Sequence, residues 1–263
     1  MDKQSYSTLI LEVGDNGSAT LTINRPDKLN ALNNTVLDEL EKVIEEIVDA
    51  DEIRGLIING AGDRAFVAGA DIKELSALDA DDGRQASRKG QRIFQKIEEL
   101  GKPVIAVIEG YALGGGCELA MACHLRVASK RAVFGLPETS LGLLPGYGGT
   151  QRLTRLIGRG RAMEMILTAN HIKADLALAY GLINRLVSDG SAMDEARDLM
   201  DAILSRGPVA VRLAMKAIDA AAGDPEEGYR TEARLFGRLC GTKDFQEGTT
   251  AFLEKRKPQF KGN

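Results

Sequence analysis

Gly110-Tyr111-Ala112-Leu113-Gly114-Gly115-Gly116-Cys117-Glu118-Leu119-Ala120 decides how this chain is read. Just before it runs Val104-Ile105-Ala106-Val107-Ile108, a short apolar and largely β-branched segment that predicts a buried strand. Three consecutive glycines then free the backbone of side chains where the chain turns into a helix. The first amides of such a helix have no partner within it and point outward, with the positive end of the helix dipole behind them. That place suits a developing negative charge, either phosphate or oxyanion. A tight packing corner is the plainer alternative. Glu118 follows one turn later, and a carboxylate beside an oxyanion site points to acid/base chemistry rather than anion binding alone.

A second glycine-containing turn, Ala68-Gly69-Ala70-Asp71-Ile72-Lys73, follows the apolar run Ala65-Phe66-Val67. Amides from two separate turns that converge on one carbonyl oxygen make an oxyanion hole without any side chain. Neither turn is a phosphate loop, because no Gly-Lys-Ser/Thr follows, and the triple glycine does not supply a dinucleotide-binding G-x-G-x-x-G. A second carboxylate, Glu138, lies in Phe134-Gly135-Leu136-Pro137-Glu138-Thr139, ahead of the apolar run Leu141-Gly142-Leu143-Leu144-Pro145. Alone it reads as a surface-turn glutamate. Paired with Glu118 it becomes an acid/base candidate, since two carboxylates in one apolar pocket repel and one stays protonated near neutrality.

Outward from these turns the chain alternates apolar strands with helices. Leu9, Leu11 and Val13, the turn Asp15-Asn16-Gly17, and Ala19, Leu21 and Ile23 predict a hairpin. Asn33 and Asn34 cap a helix whose Val36, Leu37, Leu40, Val43, Ile44 and Ile47 fall at helical spacing. Strands are expected at 55–59, 65–67, 125–128, 133–135 and 182–185, with a helix at 85–100. Nearly all-apolar strands between helices predict an α/β fold of βαβ units covered on both faces. From residue 194 the strand signal disappears and helices are expected at 194–205, 208–221, 225–241 and 242–257. The chain therefore divides into a core with the active site (1–193) and a helical region (194–263) that packs on the core or on another subunit.

With 263 residues, 44% hydrophobic and 27% charged, the chain can bury a sizeable core. A net charge of −4 and an acidic first helix offer no footprint for nucleic acid or an anionic membrane. Cys117, Cys123 and Cys240 fit no common zinc spacing and read as reduced thiols, and His124 and His171 are too few for a histidine metal site. Residues 1–5 carry charge with no apolar leader, and no apolar run of about 18 residues occurs, so a soluble cytoplasmic protein is expected.

Taken together, the motifs resemble the crotonase (enoyl-CoA hydratase/isomerase) family over essentially the whole chain. They are Arg25-Pro26-Asp27-Lys28-Leu29-Asn30-Ala31-Leu32, Phe66-Val67-Ala68-Gly69-Ala70-Asp71-Ile72-Lys73, Gly114-Gly115-Gly116-Cys117-Glu118 and Pro137-Glu138. Leu144-Pro145-Gly146-Tyr147-Gly148-Gly149-Thr150-Gln151-Arg152-Leu153 and Phe252-Leu253-Glu254-Lys255-Arg256-Lys257 complete the set. The resemblance implies a spiral of ββα units closed by a C-terminal helical trimerisation region, in a homotrimer or homohexamer (a dimer of trimers). It implies an oxyanion hole from the amides of Ala70 and Gly115 that holds an acyl-CoA thioester carbonyl. Ala68, Gly69, Ala70, Asp71, Ile72 and Lys73 would line the CoA site, with Phe236 and Lys255 completing it. Lys28 and Leu29 would approach the nucleotide, and Gly146 joins the substrate-binding set. No metal and no cofactor is implied, since coenzyme A is part of the substrate. His124 departs from the pattern, because relatives frequently carry aspartate there.

The expected activity is an enoyl-CoA hydratase of fatty acid metabolism, giving a 3-hydroxyacyl-CoA from a trans-2-enoyl-CoA, with Glu118 mainly as base and Glu138 mainly as acid. The alternative is a Δ3-Δ2-enoyl-CoA isomerase, a type that often keeps only the later carboxylate, or another crotonase-type lyase. An RNA-binding relative would need a lysine-rich exposed helix, which the acidic residues 39–52 do not offer. Acyl chain length would be set by side chains around residues 75–82 and 141–144.

Overall fold

The computed structural model describes residues 6–263; the charged segment 1–5 lies outside them. The N-terminal alternation forms an antiparallel hairpin, β1 (Leu9–Val13) with β2 (Ser18–Ile23), in the register Leu9↔Ile23 to Val13↔Ala19. Ala19, Leu21 and Ile23 are buried; on β1 only Leu9 is, because Leu11 is half-buried and Val13 exposed. α1 (Asn34–Asp49) follows, its N-cap Asn33 accepting from the Val36 amide at 3.0 Å, and all six periodic apolar residues are buried.

From β3 (Gly55–Gly60) the chain repeats a strand–strand–helix unit. The first turn is β3, β4 (Ala65–Val67), α2 (Ile72–Leu75) and α3 (Ala80–Glu98). The second is β5 (Val104–Ile108), β6 (Tyr111–Leu113) and α4 (Gly115–Ala122). The third is β7 (Leu125–Ser129), β8 (Val133–Gly135), a 3-10 turn (Pro137–Leu141), α5 (Gly149–Ile157) and α6 (Arg159–Thr168). The first strand of each turn joins one parallel stack and the second joins another, which makes the spiral of ββα units. β9 (Ile172–Lys173), α7 (Ala174–Tyr180) and β10 (Arg185–Val187) close a six-stranded sheet, β1-β2-β3-β5-β7-β10, and a four-stranded one, β4-β6-β8-β9.

Several boundaries differ from expectation. α3 begins at Ala80 rather than at 85, because Asp79 caps it by accepting from the amides of Asp81 and Asp82. The polar run that follows carries no apolar period to reveal the helix. β10 starts at Arg185 rather than at 182; Leu182 and Ile183 are buried behind α7 with their amides on the Ala177 carbonyl. α11 (Lys243–Leu253) stops short of 257, just ahead of Lys255, whose φ of 54° is left-handed. β6 and α5 to α7 lay outside the sequence reading.

α8 (Ala192–Leu204), α9 (Pro208–Ala220) and α10 (Pro225–Cys240) precede α11. α8 lays Ala192, Ala196 and Met200 on Ile57, Ile105, Val107 and Val127, so it covers the outer face of the large sheet. The expected division at residues 193/194 falls inside this helix. α9 to α11 leave Ile218, Phe236, Phe252 and Leu253 strongly exposed, whereas Leu235 is buried and Leu199 of α8 is half-buried against the sheet. Among the described residues no helix is long and apolar enough to cross a membrane.

Candidate active site

The two glycine turns meet. A Cβ at Gly116 would fall 2.0 Å from the Val67 carbonyl oxygen, so only glycine lets the first turn of α4 press on β4. A Cβ at Gly114 would lie 3.7 Å from the Cα of Gly69 and 2.8 Å from Glu138 Oε1. The second strand of each spiral turn thus delivers its following loop to one place.

The loop before α1 fixes the first glycine turn. Leu29 and Asn30 hold left-handed backbone, and the buried Asn30 amide donates to the carbonyls of Ala61 and Ala65. Leu29 O accepts from the Ala68 amide, and Leu32 bonds Gly69 O and the Asp71 amide on either side of Ala70. In a parallel bridge of this kind the amide of the flanked residue points the other way. The Ala70 N–H accordingly has no acceptor among the described residues, and neither has the N–H of Gly115, the first residue of α4. Both residues line one cavity of about 350 Å³.

Glu118 and Glu138 line the same cavity. Glu118 is almost completely buried, and its Oε1 accepts from the amides of Tyr147 at 2.8 Å and Gly149 at 2.7 Å, at the start of α5. Burial pushes its pKa from 4.5 to about 7; the Gly149 amide opposes the shift and the charge of Glu138 adds to it. Glu138 sits on the 3-10 turn, which Thr139 ties to α6 through the Ile166 carbonyl at 2.6 Å. Burial raises its pKa as well, and its buried Oε2 has no hydrogen-bond partner among the described residues. The pair can therefore hold a proton near neutral pH in a mostly apolar chamber, one carboxyl ready to accept and the other to donate.

Ala68, Gly69, Ile72 and Gly146 also line this cavity, as do Leu75, Leu78, Leu141, Leu143 and Leu144 from the two segments expected to set chain length. The structure does not bring every expected residue to it. Lys28 and Leu29 touch it only through the Leu29–Ala68 bond. Asp71 caps α2 on the Lys73 amide and faces Arg25 at 3.5 Å, and neither Asp71 nor Lys73 lines the cavity. Phe236 lines a separate apolar cavity of about 600 Å³ among α9, α10 and α11, and Lys255 lines neither. Missing from the sequence reading were the Tyr147 and Gly149 amides, the Tyr147 ring and the small face of α3 (Gly83, Ala86, Ser87). The glycine pair after Tyr147 was the available signal for the first of these.

The sequence pattern of the enoyl-CoA hydratase/isomerase family matches residues 14–263. The chain is 47% identical over 240 residues to a short-chain-enoyl-CoA hydratase of Clostridium acetobutylicum, covering 91% of this chain and 92% of that one. It is 45% identical over 257 residues to a crotonyl-CoA hydratase of Syntrophomonas wolfei, covering 97% and 98%. The crystal structure of an enoyl-CoA hydratase from Bacillus anthracis superposes with a TM-score of 0.94 at 39% identity, covering 98% of this chain and 100% of that one.

Proposed function

The chain belongs to the enoyl-CoA hydratase/isomerase family, and we propose that it is an enoyl-CoA hydratase adding water to a trans-2-enoyl-CoA to give a 3-hydroxyacyl-CoA. The observation that carries the reading is the meeting of the buried Glu118 and half-buried Glu138 carboxylates with two amides that have no acceptor among the described residues, all in one cavity. The amides of Ala70 and Gly115 bind the thioester oxygen and draw electron density from C2=C3 toward it. C3 becomes electrophilic. Glu118, held by two amides, takes a proton from the attacking water while the oxygen bonds to C3, and Glu138 supplies the proton that C2 receives. Retention of both carboxylates favours hydration over double-bond migration.

The CoA moiety runs along the 68–73 turn toward Lys28 and Leu29, and Phe236 and Lys255 complete its site. The exposed apolar residues of α9 to α11, Phe236 among them, support a homotrimer or homohexamer in which a neighbouring copy meets that surface. Three free cysteines fit a reducing cytoplasm, and a place in fatty acid metabolism fits the substrate class. A spectrophotometric hydration assay over a ladder of enoyl-CoA chain lengths from crotonyl-CoA upward tests the reading. Glu118→Gln and Glu138→Gln should each bind the thioester yet lose about 10²–10⁴ in kcat. Near wild-type hydration by either variant removes that residue from the mechanism.

A further inference from the structure

Arg152 takes no part in the mechanism above, yet it lies almost completely buried beside it. Its Nη1 donates to the Tyr147 carbonyl at 2.9 Å, while Nε and Nη2 both donate to Glu98 Oε2, at 3.1 and 2.9 Å. Its own amide bonds the Gly148 carbonyl in the first turn of α5. The turn 147–149 is therefore gripped from two sides. Its Tyr147 and Gly149 amides hold Glu118 Oε1, and its Tyr147 carbonyl meets the guanidinium. Gly148, at φ 107°, makes the grip possible, since a Cβ there would fall 2.3 Å from Arg152 Nη1.

We propose that Glu98 and Arg152 form a positioning pair that fixes the 147–149 turn and, through it, the orientation and ionisation of Glu118. The proposal rests on Glu118 acting as the base. A peptide turn polarised between a carboxylate and a guanidinium couples the two, and in a buried setting that coupling is little screened. Glu98 tempers it by neutralising part of the arginine charge.

The other charged and titratable groups around this path include the buried Arg126, whose guanidinium donates to the Ala120 and Cys123 carbonyls at the end of α4. Glu138 faces Glu118 across the cavity, and the Cys117 and Cys123 thiols are pushed up to about 12 by burial and stay neutral. His124, after α4, accepts from the Val104 amide through Nδ1 and meets the Glu98 carbonyl through Nε2, an arrangement of the neutral ring. Asp219 on α9 faces His124 and Glu98, with Glu99 close by. Glu74 acts on the Tyr147 phenol, which burial pushes up to about 12.

The two members of the pair act with opposite sign, and a loss of structure would not reproduce that. Removing the cation disfavours ionised Glu118; removing the charge of Glu98 leaves the cation stronger and favours it. The test is the pH dependence of kcat for crotonyl-CoA hydration by Arg152→Met, Arg152→Lys and Glu98→Gln. The acid limb should rise by roughly half to one pH unit in Arg152→Met and fall by a few tenths in Glu98→Gln, with KM changed less than about threefold. Arg152→Lys should bring the limb back toward wild type while kcat stays reduced, since a lysine lacks the fork that reaches both partners. Limbs that move together overturn the proposal, as do unmoved limbs accompanied by an unmoved Glu118 carboxyl band. Glu98 is half-buried, so its variant decides the matter even if Arg152→Met does not fold. Infrared titration of the carboxyl band that Glu118→Gln abolishes separates the two readings. A band shifting as stated while the kinetic limb stays put means that Glu118 is not the base; an unmoved band means that the pair does not act on it.

Discussion

Replacing Glu118 by glutamine should make the protein more stable at alkaline pH while removing most of its activity. Burial lifts the folded-state pKa from 4.5 to about 7, so the native protein holds this proton more tightly than the unfolded chain does. The contribution to folding is complete below 4.5, declines as pH rises and is gone above about 7, where a charge sits in the core. At 1.36 kcal/mol per unit, that gap corresponds to about 3 kcal/mol, as an order of magnitude. Glutamine keeps the oxygen that accepts from Tyr147 and Gly149 and brings no charge, but those two bonds lose their ionic strengthening. A net gain of about 1–2 kcal/mol above neutrality remains, or about 2–8 °C in Tm for a chain of this size. Near about pH 5 the wild-type carboxyl is itself protonated and the two proteins should melt together. Thermal denaturation followed by circular dichroism at about pH 5 and about pH 8.5 measures both. A wild type that is the more stable at alkaline pH, or a difference that ignores pH, would refute the burial penalty on which the acid/base assignment leans.

The amide of Gly115 can be tested against its own control. Gly115→Ala adds a Cβ 3.3 Å from Leu32 and Tyr147 but keeps the donor, whereas Gly115→Pro also deletes it at a helix start that tolerates proline. A further loss of about 10²–10³ in kcat should separate the proline variant from the alanine one, both shown to bind a saturated acyl-CoA; equal rates would exclude that amide as a donor. His124→Ala should lower Tm at about pH 7.5, because it strips the Val104 amide of its acceptor at a cost of about 1–3 kcal/mol. Burial depresses the His124 pKa below 6.5, so its contribution is present above that value and lost as pH falls through the depressed one. The Tm gap between variant and wild type should close in acid; a gap that persists there counts against the neutral-ring arrangement. Light scattering should give a trimer or hexamer mass at micromolar concentration, and a monomer would contradict the role given to Phe236, Phe252 and Leu253.

Legibility in the sequence followed side-chain periodicity. α1 was readable because six apolar residues mark its inner face, and β3 and β5 because nearly every residue is apolar and both faces are covered. The start of α3 was not, since Asp81, Asp82, Gly83 and Arg84 face solvent or a cavity and a helix there needs only the Asp79 cap. β6 and β9 are too short to show a period. In the site, Glu118 and Glu138 were visible as residue types, but what holds them was not. Glu118 is oriented by two amides whose side chains are a tyrosine and a hydrogen, and backbone donors leave no trace in a sequence beyond the glycines that make room for them. Gly116, Gly148 and Gly149 are that trace.

The same asymmetry says how this scaffold divides its work. In the proposed mechanism, polarising the thioester falls to the N–H groups of Ala70 and Gly115, which no side-chain substitution short of proline can remove, so the fold itself would supply that step. The carboxylates hang on separate turns of the spiral, Glu118 on α4 and Glu138 on the 3-10 turn after β8. Either can be replaced without touching the amides. Chemistry on the polarised acyl group is then a matter of which protons the two positions can hold. Hydration needs a proton taken from water at C3 and one delivered to C2, hence two groups; migration of a double bond can be served by one group that carries its proton between carbons. With Glu118 fixed by two amides and tied through the 147–149 turn to Arg152 and Glu98, this chain has built an elaborate support for the carboxylate that isomerisation does not require. That is the structural reason to place it with the hydratases.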